Sequence, residues 1–143
     1  MARRRVVLFN ADPAEAHRFW LTRDYLPGFL RLIPEAHRQP GAWAQELAVH
    51  LGPVRIEPVS VPHDCEDGFY GAFWRRPKAY LAARVRNGIS VFARLEPQEV
   101  SGALGRLGAD LETGAWRRRN RDLLEREDLD LGFRLIVAEL GDG

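Results

Sequence analysis

The stretch PHDCEDGFYGAFWRRPKAYL, Pro62–Leu81, joins a short acidic turn, a lone cysteine and a run of aromatic residues with a basic end. Together with FRLIVAEL at Phe133–Leu140 it decides how the fold is read. The second segment is short, apolar and rich in β-branched residues, which predicts a strand closing the chain. In the first, His63-Asp64 reads as a turn, with Asp64 an N-cap and Asp67 three residues on as a weak capping box. The residues after it are read as an interrupted helix, Phe69, Tyr70, Phe73 and Trp74 sharing an aromatic face until Pro77 breaks it.

Working towards the N-terminus, Arg5–Phe9 is a short apolar run bounded by Asn10-Ala11-Asp12-Pro13, the pattern of a buried strand. Asp12 before Pro13 predicts a helix start, with Glu15 completing the capping pattern and Ala16, Phe19, Trp20 and, less regularly, Leu26 on one face. Pro27-Gly28 bends or ends it. Phe29–Ile33 is a short apolar continuation, and Pro34–Gly41 reads as a loop. Ala42–Leu51 repeats apolar residues at helical spacing and stops at Gly52-Pro53. Val54–Val61 suggests a strand whose alternation is disturbed by Pro58, hence an edge position or a bulge. Towards the C-terminus, Val85, Ile89 and Phe92 resume helical spacing. Pro97 opens a helix with Val100, Leu104, Leu107 and Leu111 in a stripe, ended by Gly114. Trp116–Leu124 reads as a further short helix and Asp128–Gly132 as a turn. No repeat, low-complexity segment or internal boundary interrupts residues 1–143, which read as a single α/β domain.

A chain of 143 residues can bury a core of its own. Its net charge of +1 supplies no field to draw it to nucleic acid or anionic lipid. The cations are 20 Arg and one Lys, spread along the sequence rather than gathered into a stripe with interleaved aromatics, so nucleic-acid binding is not expected. Cys65, the single cysteine, fits a reducing compartment. No apolar run approaches the roughly 20 residues that span a bilayer, and the opening MARRRVVLF lacks the shape of a signal peptide. The expectation is a cytoplasmic protein that binds no membrane.

The combination HDCxDGF (from His63), FWRRPxAYL (from Phe73) and GAWRRRNxDLLxxxxLDLGFRLIVA (from Gly114) resembles a bacterial branch of the class I S-adenosylmethionine-dependent methyltransferases, the methyltransferase type 11 group. The resemblance runs from about Arg5 to Leu140. RRVVLFNADP resembles the fifth strand of that Rossmann-like sheet and its exit, VRIEPVSVPHDCEDGF the sixth, and LGFRLIVAEL the seventh. The resemblance implies about three strands, the last antiparallel and inserted between the other two, with a helical insertion before it. It also implies S-adenosylmethionine as cofactor and methyl transfer to a small-molecule acceptor. The chain departs from the family where the donor is held, by a glycine-rich loop after the first strand and an acidic residue ending the second. No such loop occurs here. Gly102, Gly105 and Gly108 sit inside a helical pattern with no strand before them. The implied assignment is an incomplete fold lacking the N-terminal donor-binding half, with no cofactor-binding residue in this chain and a donor half needed in cis or trans. The alternative is a non-catalytic α/β interaction module, or a remnant without donor binding.

For the site, strand topology places Asn10 and Asp12 at the carboxyl edge of the sheet, where α/β folds bind ligands, with Asp67 near it. Phe69, Phe73 and Trp74 are candidates for an acceptor pocket, or they simply bury one helical face. His63 with Asp64 could serve as a general base, or form a plain capped turn. Cys65 reads as a small filler. His63, Cys65 and Asp67 do not have the spacing of a zinc site, and His17, His37 and His50 are scattered, so no metal is expected. A first strand without its neighbour presents an apolar edge, which predicts self-association or a complementary donor-binding chain.

Overall fold

The computed structural model describes residues 4–140. Its main sheet has three strands, β1 (Arg4–Ala11), β2 (Val54–Pro58) and, numbered after the short pair below, β5 (Phe133–Leu140), in the order β1-β5-β2. β5 is antiparallel to both neighbours, as the family resemblance implies. Composition explains who takes the centre. Leu135-Ile136-Val137-Ala138 is apolar at four consecutive positions, a pattern suited to a strand covered on both faces. β1 carries Arg4 and Arg5, and β2 carries Arg55, Glu57 and Pro58, residues that suit edges. Arg5 and Glu139, directly opposite in the ladder, form a salt bridge of 2.7 Å.

The two faces of the sheet are covered unequally. Leu8, Ile136 and Ile56 lie in one register row, and Val6, Ala138 and Val54 in the next but one. Against this face packs α1 (Ala42–Leu51), with Trp43, Ala44 and Leu47 meeting Leu8, Ile136 and Val54. The opposite face leaves Val7 and Phe9 of β1 at 53% and 60% exposure.

A second body of structure sits at the rim where β1 and β2 end and β5 begins. It holds the larger core, in which Trp20, Tyr80 and Trp116 meet edge to face at ring separations of 5.2–5.7 Å. α4 (Pro97–Thr113) buries Ala103 and Leu107 in it. Around it lie α2 (Ala83–Asn87), α3 (Ser90–Arg94) and α5 (Ala115–Arg119). β3 (Val61–Pro62) and β4 (Asp128–Leu129) pair antiparallel beneath, so Asp128–Leu129 is a short strand rather than part of a turn.

Two expected helices take other forms. From Asp12 to Leu26 the chain makes a 3-10 helix, Pro13–Arg18, an extended step at Phe19, and a π-type turn at Leu21–Tyr25. Phe19, Trp20, Leu21 and Thr22 are buried in succession, which a one-faced helix cannot provide. Asp12 caps Ala14 N–H as expected, but Glu15 reaches Arg18 at 2.7 Å and completes no box. Residues 68–76 are turns, not a helix, so Asp64 and Asp67 cap nothing. Gly71 explains why the chain lies so close there, since a Cβ on it would stand 2.6 Å from Leu131 Cδ1.

Candidate functional site

Where β1 leaves the sheet, a cavity of about 300 Å³ opens between the strand ends and the helical body. Asn10, Ala11 and Asp12 form one side and Phe133, the first residue of β5, lies beside them. Phe19 and Leu131 form the back. The 3-10 segment Pro27–Leu32, with Ile33 after it, supplies Phe29 and Leu32, and Tyr70, Val91 and Arg94 complete the wall. This lies on the edge where the topology of an α/β sheet favours ligand binding.

Asp12, Asn10 and Tyr70 of the lining are each committed to a structural hydrogen bond. Asp12 is 6% exposed, and its two carboxylate oxygens accept from Ala14 N–H at 3.1 Å and Gly41 N–H at 2.8 Å. It thereby ties the strand exit to the loop before α1. Asn10 Oδ1 accepts from Ala11 N–H. Tyr70 and the fully buried Thr22 share a hydrogen bond of 3.0 Å between hydroxyls. Burial pushes the Tyr70 phenol well above its ordinary range, the Thr22 hydroxyl offsetting this in part, so the ring serves as a neutral wall. It stacks on Phe29 with centroids 4.7 Å apart and planes 16° from parallel. The lining thus offers apolar surface and orientation, and no proton acceptor free of structural duty. Such a site acts by positioning its ligand and keeping water away.

Of the residues singled out from the sequence, the structure brings Asn10 and Asp12 into this lining. Phe69 stands just behind it, edge-on to Phe133 at 5.2 Å. Trp74 does not reach it. The indole is 0% exposed, donates to the Val61 carbonyl at 3.0 Å, and has no surface left for a ligand. Phe73 packs edge-on to Tyr80, with the Arg76 guanidinium 4.9 Å above its ring. His63 turns to Glu127 at 3.2 Å, Asp64 and Asp67 are exposed, and none of the three lines the cavity. Trp20 and Tyr25 are core residues. Phe29, Leu32 and Arg94 were missed; only the apolar run at Phe29–Ile33 gave any hint of them.

A second, polar cleft of about 420 Å³ shares Phe19 and Leu131 with the first. Its arginines are largely occupied, Arg18 by Glu15, Arg23 by Asp24 and Arg119 by Asp110. The last pair belongs to a network in which the Tyr25 hydroxyl donates to Asp110 at 2.6 Å and accepts from Arg119. The Tyr25 hydrogen bond, and after it Arg119, hold the Asp110 carboxyl below its usual range.

S-adenosylmethionine requires a close backbone approach that glycines provide after a strand. Among the described residues no strand leads through a glycine-rich turn into a helix. Gly102, Gly105 and Gly108 lie within α4, and the glycines at positive φ are Gly41, Gly52, Gly114 and Gly132, two of them flanking α1. Asp12, the acidic residue at the exit of β1, has both oxygens engaged. These residues do not fit the donor. Among the described residues there is also no group of three His, Cys, Asp or Glu side chains that could hold a metal.

Over 95% of its length the chain is similar to the crystal structure of a candidate methyltransferase from an antibiotic biosynthesis pathway of Anabaena variabilis, with 34% identity and a TM-score of 0.79. It spans about half of that protein, 55% of its chain. No family model matches the sequence, and no curated protein does.

Proposed function

We propose that this chain is the acceptor-side portion of a class I S-adenosylmethionine-dependent methyltransferase, the C-terminal part of its Rossmann-like sheet with a helical insertion. The observation that carries the reading is the order β1-β5-β2 with β5 reversed, in a chain that is similar to just over half of a candidate methyltransferase. In this reading S-adenosylmethionine supplies the methyl group when bound, held by a donor half that is joined to this chain in cis or meets it in trans. The residues here hold the acceptor. Asn10 and the loop after it, fixed by Asp12, set the floor; Phe19, Phe29, Tyr70 and Phe133 exclude water from it. The acceptor is a small organic molecule, in keeping with a cavity of about 300 Å³.

The donor half pairs along the outer edge of β1. That edge has no partner strand among the described residues, and Val7 and Phe9 beside it are more than half exposed. Hydrogen exchange tests this on the chain with and without the unmatched segment of the Anabaena protein. Added segment should protect the alternate β1 amides that face away from β5. Unchanged exchange along β1, with the segment present in excess, speaks for a separate interaction module instead.

A further inference from the structure

Of the charged side chains on the cavity lining, Asp12 is enclosed and spends both oxygens on backbone N–H groups. Arg94 is the opposite case. It ends α3, is exposed, and lies on the lining. Among the described residues its guanidinium takes part in no hydrogen bond or ion pair, and it is the one cationic side chain on this lining. The rest of the wall is mainly apolar, with Phe19, Phe29, Tyr70 and Phe133 as its aromatic members and Tyr70 stacked on Phe29. About 300 Å³ at the packing density of protein interiors accommodates roughly a dozen non-hydrogen atoms, the size of a fused two-ring system with a substituent.

We propose that the cavity takes a planar aromatic carboxylate, its rings against Phe19, Phe29, Tyr70 and Phe133 and its carboxylate paired with the Arg94 guanidinium. The pairing is chemically specific. A guanidinium presents two parallel N–H donors that match the two oxygens of a carboxylate, and an ester cannot carry the charge that strengthens them. The rings remove apolar surface from water and, having few rotors, lose little freedom on binding. Such a carboxylate as the methyl acceptor rests on the functional reading above; its binding does not, because no donor takes part.

The test uses 2-naphthoate and its neutral methyl ester as probes, titrated into the chain and into Arg94→Gln and Arg94→Lys variants by calorimetry and by amide chemical shifts. Because Arg94 is exposed and unpaired, the variants should keep the wild-type melting temperature. The wild-type chain should bind naphthoate more tightly than the ester, with shifts at Asn10, Leu32 and Leu131. Arg94→Gln should weaken naphthoate about tenfold, as loss of a partly solvated bidentate pair implies, and leave the ester unchanged. Arg94→Lys should recover part of the loss. Equal affinity for acid and ester, equal weakening of both by Arg94→Gln, shifts elsewhere, or no binding of naphthoate at millimolar concentration would each overturn the proposal. Failure of donor binding alone would count against the methyltransferase reading and leave this one standing.

Discussion

Replacing Asp12 with alanine removes the side chain that joins the exit of β1 to the loop before α1, and so tests how the floor of the cavity is held. Two hydrogen bonds go, from Ala14 N–H at 3.1 Å and from Gly41 N–H at 2.8 Å. The first is an N-cap, whose loss costs about 0.5–2 kcal/mol. The second is a charge-assisted bond of about 1.5–3 kcal/mol, discounted because Gly41 is only half-buried and water can replace part of it. Together these give about 2–4 kcal/mol, a substantial share of the roughly 5–15 kcal/mol that holds an ordinary domain folded. With a urea slope of about 2 kcal/mol per molar, the unfolding midpoint should fall by about 1–2 M. Asp12→Asn keeps one acceptor oxygen and should lose about half as much by the same reckoning. Tryptophan fluorescence in urea follows the transition, since Trp20 and Trp43 report the two cores on either side of this link. A change below about 0.5 kcal/mol for the alanine variant, or an asparagine variant as damaged as the alanine one, would refute the assigned role.

Two glycine substitutions should act in opposite senses. Gly132→Ala forces a side chain onto φ +89° with its Cβ 2.6 Å from Glu15 Cβ, and should cost about 2 kcal/mol or more in urea unfolding. Gly105→Ala, exposed within α4 and open around the new methyl, should stabilise by about 0.5–1 kcal/mol. Asp110→Asn should lower stability at neutral pH but not in acid. The folded protein holds this carboxyl below its ordinary value, so its contribution is present above that value and is lost as the pH falls through the lowered one. Urea midpoints of variant and wild type should therefore converge once the pH lies below that lowered value, and a constant gap would contradict the network with Tyr25 and Arg119.

Local pattern sufficed where an element follows one physical rule along its length. β5 runs Phe133–Leu140 as read, because an apolar strand bounded by a glycine has no other economical form. α1 and α4 end at Gly52 and Gly114, whose φ values of 80° and 79° release the chain from the helix. The pairing of β5 between β1 and β2 followed from the resemblance, while the apolar run at Leu135–Ala138 gives its physical cause. What stayed hidden was set by tertiary context. Phe19–Thr22 is buried on every side, so helical periodicity misled there. Residues 68–76 form turns in which Gly71 passes close against Leu131, a neighbour sixty residues away. The site shows the same division. Asn10 and Asp12 could be placed from strand topology, but Trp74 went to the core because nothing local distinguishes a pocket aromatic from a packed one. Arg94 carried no sequence signal; only its place on the cavity lining, without a carboxylate partner, sets it apart.

Calorimetric titration of S-adenosylhomocysteine into this chain, first alone and then with the unmatched segment of the Anabaena protein added, tests the proposed division of labour most directly. The account predicts no heat of binding from the chain alone and saturable binding, tighter than that of the added segment by itself, once both are present. Saturable micromolar binding by the chain alone would contradict the assignment of the donor site to another segment, and no gain over the added segment by itself would contradict the assignment of this chain to the acceptor side.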